Sequence, residues 1–386
     1  MAGTTFDREL MPPRAVRGPF ALASRAEDAE IRRLLRENPM PGRIALTLER
    51  EPNYFADADW PGTTKQTILA KADGRVVCAG SCVIRERFVN GQPRRVGYLG
   101  GLRLEAQAAG RFDILRRGYQ FFRELQTDAP ADFYFTSIAA DNFRARSFLE
   151  RGLPGMPTYE FLCEFVTLLL PVGRRSPTRR FSDRPPIRAG AESGAPDGSE
   201  LLDGLNKQGR QYQFAACWSA QEFATLPALG LPMENFYSGR IGGRIRATAA
   251  LWDQRAFKQT VIRRYAPWLA MARPAVNLAA RLLGAPRLPA VGATLAQAFV
   301  SPLAVEPENV GALMALVAEL RVRAAGRGIE LLTLGFAAND PRLAALRRPF
   351  RGREYRSRLY VVRWPGLGGA ARELDGRCLG PEVALL

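Results

Sequence analysis

The sequence predicts an α/β protein, of α+β type with mixed sheets flanked by helices, built as two tandem units. Three observations carry this. Strand-like and helix-like runs alternate through the first half of the chain. The stretch from Gly173 to Gly198 is rich in Pro, Gly, Ser and Arg and reads as a linker. Beyond it the pattern starts again. Thr136–Asn142 (TSIAADN) matches Thr333–Asn339 (TLGFAAN) at an offset of 197 residues, and Asp73-Gly74-Arg75 aligns with Gly242-Gly243-Arg244 at an offset of 169. The offset grows by 28 residues between the two matches, which places an insertion near 263–288 in the second copy. The expected organisation is a first unit over 1–172, a basic linker over 173–198, a second unit over 199–365 and a tail over 366–386.

Along the first unit, Ser24-Arg-Ala-Glu27 forms a capping box that opens a helix with Ile31, Leu34 and Leu35 on one face, and Asn38-Pro39 ends it. A second short helix is expected around Pro52–Ala58. A strand over Gln66–Ala70 turns at Asp73-Gly74 into a long strand from Arg75 to Phe88. Asn90-Gly91 is a two-residue hairpin signal leading into a strand from Arg94 to Leu104. After Gly110 comes a helix with Phe112, Leu115, Tyr119 and Phe122 at helical spacing. A strand at Asp132–Ile138, a helix at Asn142–Arg151 and strands within Tyr159–Leu170 close the unit. In the second unit Val310, Leu313, Val317 and Leu320 mark the apolar face of a helix.

Bulk properties narrow the function. At 386 residues the chain suits two cores, and 47% hydrophobic residues can fill them. The longest apolar candidate, Phe161–Val172, is short and interrupted by Glu164, so no segment reads as membrane-spanning. The N-terminus carries Asp7 and Glu9 and no apolar run, unlike a secretory signal, and five cysteines form no disulfide framework; both fit a cytoplasmic protein. The charge of +17 invites a nucleic-acid partner, but 51 of the 55 basic residues are arginines spread along both halves, as GC-rich coding would also give. Nucleic acid is therefore disfavoured, while attraction to anionic ligands stands. There is no histidine, which excludes Ser-His-Asp and Cys-His catalysis and removes the commonest metal ligand. Cys78 and Cys82 share a strand face without further soft ligands and read as core cysteines rather than a metal site.

The chemistry-bearing constellation is a strand, then Gln107-Ala-Ala-Gly110-Arg111-Phe112, then a helix. A glycine there lets backbone approach a ligand, and the helix start offers free N–H groups and partial positive charge to a pyrophosphate. At this point the sequence resembles the GNAT superfamily of acyl-CoA N-acyltransferases, over about Phe20 to Leu170. That family carries Gln/Arg-x-x-Gly-x-Gly/Ala after its fourth strand, which Gln107, Gly110 and the strand Val96–Leu104 fit; Phe112 departs from the final small residue. A later family element, Asn-x-x-Ala-x-x-aromatic/Leu, is matched by Asn142, Ala145 and Phe148.

The resemblance implies a transferase moving an acyl group, most simply acetyl from acetyl-CoA, to an amine on a small molecule or peptide. It implies two splayed strands with pantetheine between them, paired by the backbone of Leu102, Arg103 and Leu104, one N–H polarising the thioester carbonyl. Pyrophosphate would lie on Ala109, Gly110, Arg111 and Phe112, and Asn142 near the sulfur. The general-acid tyrosine of many members is Leu149 here, which moves the role to Tyr98, Tyr159 or water. Glu51, in the segment that walls the acceptor site, is the candidate base, with the chain-end carboxylate of Leu386 as a rival on the pattern of two-domain relatives. No metal is implied.

The second copy has Val305-Glu306-Pro307-Glu308-Asn309 where the first has the glycine turn, and those carboxylates would repel a pyrophosphate. It is expected to supply the acceptor groove. The inserted helix, starting near Trp268, has basic and aromatic flanks that would suit a membrane surface or an acyl substrate, but it is expected to cover the acceptor site as a lid or strut rather than to anchor the protein to lipid. Two other classes stay open: a Fem-like transferase taking its acyl group from aminoacyl-tRNA, and a non-catalytic CoA-binding scaffold.

Overall fold

A computed structural model describes residues 20–105, 112–172, 187–189, 197–241, 244–283, 286–306, 308–350, 352–364 and 374–386. The first half comprises β1 (Phe20–Leu22), α1 (Asp28–Glu37), β2 (Ile44–Glu49), β3 (Thr64–Ala72), β4 (Arg75–Val89), β5 (Gln92–Leu104), α2 (Phe112–Leu125), β6 (Phe133–Ala139), α3 (Phe143–Leu149) and β7 (Thr158–Pro171). The second half contributes β8 (Ile187–Ala189), α4 (Gly198–Gly209), α5 (Ala220–Thr225), β9 (Phe236–Ile241), β10 (Arg244–Trp252), β11 (Gln259–Tyr265) and α6 (Pro267–Leu283). It continues with β12 (Gln297–Val305), α7 (Val310–Ala325), β13 (Leu331–Ala337), α8 (Pro341–Phe350) and β14 (Arg353–Arg363).

Several elements follow from local chemistry. The Ser24–Glu27 box closes as a reciprocal pair, Ala26 N–H donating to Ser24 Oγ and Ser24 N–H to Glu27 Oε2, although the first turn it caps is 3-10. Asn90 and Gly91 both take positive φ, 52° and 76°, as a two-residue turn between strands requires. Pro52–Ala58 is a run of turns, not the expected helix. Asn53 Oδ1 accepts from Phe55 N–H and Asp28 Oδ1 from Tyr54 N–H, so side chains take the amides that a helix would use.

Among the described residues, twelve strands form one mixed sheet in the order β1-β3-β4-β5-β6-β14-β7-β13-β12-β10-β9-β8. From the centre outward it repeats itself: β14 matches β7, β6 matches β13, β5 matches β12, β4 matches β10 and β3 matches β9. The last strand of each half is exchanged. β14 lies between β6 and β7 of the first half, antiparallel to both, and β7 pairs with β13 of the second. A two-stranded sheet, β11 against β2, ties the halves a second time. On one face α7 buries Leu313, Val317 and Leu320 against Leu332 and Leu334; α2 packs Phe122 on Tyr134 and Trp364.

The parallel contact of β5 with β6 depends on Gly97. A Cβ there would lie 2.6 Å from Tyr134 Cδ1 and 3.0 Å from Cys82 Sγ. That ring cannot swing away freely, because Tyr134 Oη donates to Gln126 Oε1 (3.0 Å) and accepts from Ala131 N–H (2.9 Å). Gly97→Ala is therefore expected to cost about 1–3 kcal/mol by overpacking, read as a lower unfolding midpoint in urea. An unchanged midpoint would mean the two strands separate without strain.

Candidate active site

Parallel pairing of β5 with β6 runs from Val96↔Phe133 to Leu99↔Thr136 and then stops. Thr136 Oγ1 donates to Leu99 O (2.7 Å), closing the last rung, and Ser81 Oγ donates to Gly100 O (3.1 Å). At Gly100-Gly101 β5 slips register against β4, with Gly101 at φ 65°. Beyond the slip, among the described residues, β5 keeps only β4 as partner (Ala79↔Arg103, Cys78↔Leu104) and β6 keeps only β14. The strands splay. Glu105 N–H donates to Val77 O on β4, so by strand alternation the backbone groups of Leu102 and Leu104 face the gap and those of Arg103 face β4. A matching splay opens in the second half, where parallel pairing of β12 with β13 stops at Phe299↔Thr333.

A cavity of about 630 Å³ joins the two gaps. Leu99–Arg103 and Thr136–Ala139 wall it at the first splay, Gln297, Phe299 and Thr333 at the second. Phe165, Thr167 and Leu169 of β7, with Tyr355 and Ser357 of β14, form the stretch between, so the exchanged strands build its centre. Leu115, Tyr119, Leu149 and Tyr159 line an apolar part on the α2 side of the sheet.

The sequence candidates distribute unevenly over this site. Leu102, Arg103, Tyr98, Asn142 and Tyr159 all line the cavity. Leu104 sits at the splayed edge, and Phe112 opens α2. Gln107, Ala109, Gly110 and Arg111, the expected pyrophosphate turn between β5 and α2, lie outside the described residues. Asn142 caps α3, its Oδ1 accepting from Ala145 N–H at 3.2 Å. Arg103 Nη1 donates to Leu102 O (2.9 Å).

Glu51 is not brought to the cavity wall. Its carboxylate is bound by Arg32 and by Arg36 (3.0 Å), both from α1, which occupies the oxygens a base would use. Burial pushes the Tyr98 hydroxyl up to about 12, with the nearby Arg87 opposing. Tyr159 shares a 2.6 Å hydrogen bond with Tyr119, and burial raises its pKa far above the ordinary value. Both phenols can donate hydrogen bonds but are poor proton donors to a thiolate, whose conjugate thiol is far more acidic. Cys78 and Cys82 also touch the cavity; burial raises both thiols, Cys78 to about 12, so neither supplies a thiolate.

The group that sequence reasoning missed is Lys258. Its side chain is half-buried in the cavity wall, and Nζ donates to Ala384 O (3.2 Å) and Leu386 O (2.7 Å). Burial first, then repulsion from Arg50 and Lys65, outweighs the attraction of Asp57 and lowers its pKa to about 7. A neutral amine has two N–H donors and one lone pair. The Ala384 carbonyl takes one donor, and an oxygen of the chain-end group of Leu386, the rival base named in the sequence analysis, takes the other. A signal existed in the composition: only four lysines stand among 55 basic residues, and two of them, Lys65 and Lys258, line this cavity. Arginine would stay charged in such a place, whereas lysine can lose its proton.

At the equivalent turn of the second half, Glu306 at the end of β12 is held by Arg246 (2.6 Å) and accepts from Asn309 Nδ2 (2.9 Å) ahead of α7. A carboxylate thus occupies the approach to that helix. The inserted helix α6, expected as a lid, contributes no residue to the cavity lining among those described.

No protein-family model matches the chain, and no curated protein is similar to it in sequence. The architecture is that of the GNAT-like acyl-CoA N-acyltransferases. Saccharomyces cerevisiae N-myristoyltransferase with bound myristoyl-CoA superposes with a TM-score of 0.57 at 10% identity, over 96% of this chain and 86% of that one. A GCN5-related N-acetyltransferase from Sphaerobacter thermophilus gives 0.53 at 13% identity, over 92% and 99%. At these identities the likeness is one of fold.

Proposed function

We propose that this chain is an acyl-CoA-dependent N-acyltransferase that binds the acyl-CoA at the β5–β6 splay and the amine acceptor at the β12–β13 side of the shared cavity. The observation that carries the reading is the cavity itself, reached from an open strand edge whose Leu102 and Leu104 backbone groups lack a strand partner on that side. An extended pantetheine can add to that edge as a strand would. The carboxylate at the second turn supports a single CoA site per chain, in the first half.

The reaction needs a neutral amine. Its nitrogen bonds to the thioester carbonyl carbon, the C–S bond breaks, the amine proton passes to Lys258 Nζ, and the departing thiolate takes a proton from that ammonium or from water. A backbone N–H of Leu102 or Leu104 polarises the carbonyl.

The apolar wall and a volume in the range of drug-sized ligand sites favour an acyl group longer than acetyl. Each buried methylene contributes about 0.8 kcal/mol, or roughly a four-fold gain. Thiol release with a series of acyl-CoAs from acetyl upward, over a panel of amines, should show kcat/KM rising about four-fold per methylene until the cavity is full. Calorimetry should give one CoA site per chain. A flat chain-length profile would return the assignment to acetyl, and no binding of any acyl-CoA would overturn it altogether.

A further inference from the structure

We propose that α6 docks this protein on an anionic phospholipid surface. The inference is independent of the acyl-transfer reading. It starts from a stripe of exposed apolar side chains. Trp268 (58% exposed), Met271 (83%), Leu278 (61%) and Leu282 (79%) recur along one face of α6, with Ala275 between them and Leu283 (81%) beside its end. Positions three and four apart on a helix point the same way, so these groups form a continuous ridge.

The opposite face holds the helix in place. Ala280 is buried, Asn277 Nδ2 donates to Leu288 O (3.0 Å), and Leu288 N–H donates back to Asn277 Oδ1 (2.7 Å). Arg273 Nε adds a bond to the same carbonyl (3.2 Å). The ridge is therefore presented outward by a seated helix. Apolar residues on a typical surface are scattered singly, and a contiguous ridge of this kind marks an interaction surface.

Charge selects the occupant. From Gln254 to Val305 the chain has no Asp or Glu but seven basic residues, and Arg264, Arg281 and Arg287 are exposed around the helix. A second copy docking through the same ridge would bring these cations together with no carboxylate from that stretch to meet them. An anionic bilayer offers both what the ridge lacks, an apolar interior, and what the arginines lack, a counter-charge. No helix among the described residues is long and apolar enough to cross a membrane, so the geometry is that of a helix lying in the interface. α6 directly follows β11, whose Thr260 lines the cavity, so docking holds that wall of the cavity near the lipid.

Flotation of the full chain with vesicles tests this. Vesicles of phosphatidylcholine with about one third phosphatidylglycerol should carry the protein at least ten-fold better than pure phosphatidylcholine, and added salt should weaken the association. Leu278→Glu with Leu282→Glu should abolish flotation. Both sites are exposed, so an unchanged unfolding midpoint will show the variant is folded. Arg281→Gln with Arg287→Gln should remove the preference for the anionic vesicles. Equal flotation of the leucine variant, or no flotation of the wild type, overturns the proposal. A wild-type dimer in light scattering that the leucine substitutions dissolve, with no vesicle binding, would assign the ridge to a second copy instead.

Discussion

Lys258→Met is expected to lower kcat about 10²- to 10⁴-fold, the range that a general base supplies, while acyl-CoA affinity by calorimetry stays within a factor of about two. The wild-type pH profile should show the cause. Burial lowers the Lys258 pKa to about 7, so its neutral form is scarce at acid pH and dominant above neutrality. Activity should therefore rise with pH through a limb near 7 and level off, and the limb should vanish in the variant. Lys258→Arg separates chemistry from charge. Arginine keeps a cation in the wall but cannot lose its proton in a working pH range, so this variant should be nearly as slow as Met. Full activity in either variant with the limb intact would remove Lys258 from the mechanism. A limb that persists with a slower rate would instead make it a positioning residue.

The parts of this molecule legible in the sequence are those set by near neighbours. Ser24 and Glu27 close their cap within three residues, Asn90-Gly91 adopts the backbone that its small side chains permit, and the α7 stripe faces the core because helical spacing leaves it no other face. The two matched segments, Thr136–Asn142 and Thr333–Asn339, fall at the ends of β6 and β13, which hold corresponding places in the sheet. What could not be read depends on distant partners. β7 and β14 look like ordinary apolar closing strands, and nothing local says that each is inserted beside the other half. Pro52–Ala58 has helix-compatible residues, yet Asp28 on α1 takes one of its amides. Glu51 reads as a candidate base, but α1 folds Arg32 and Arg36 onto it, and Lys258 has no local feature to mark it before the segment ending at Leu386 meets it. Site chemistry is a property of burial and approach, which sequence spacing does not record.

The exchanged strands join the two halves in one sheet, and a buried ion pair adds a further contact between them. Arg85 of β4 and Glu222 of α5 meet at 3.0 Å with side chains 1% and 4% exposed. The guanidinium lies between the rings of Trp60 and Trp218, 4.9 and 4.7 Å from their centroids. Removing the carboxylate leaves a buried cation with no counter-charge at that contact, Glu382 being the remaining favourable charge. Glu222→Gln is therefore expected to destabilise the protein by about 3–5 kcal/mol in urea unfolding. Part of any loss could come from the helix cap, since Ser219 N–H donates to Glu222 Oε2 (2.9 Å). Gln keeps an amide oxygen that can accept this N–H, so the share is small. Ser219→Ala, which removes the Oγ that accepts from Glu222 N–H (3.1 Å), sizes the other half of the cap at about 1 kcal/mol. The decisive comparison is the double variant Arg85→Met with Glu222→Gln. With no charge left to strand, it should recover most of the stability lost by Glu222→Gln alone, a coupling that independent sites would not show. If the double variant is instead as unstable as the sum of its single changes, the pair is not coupled. The halves must then be held together by the sheet and the tryptophan packing alone.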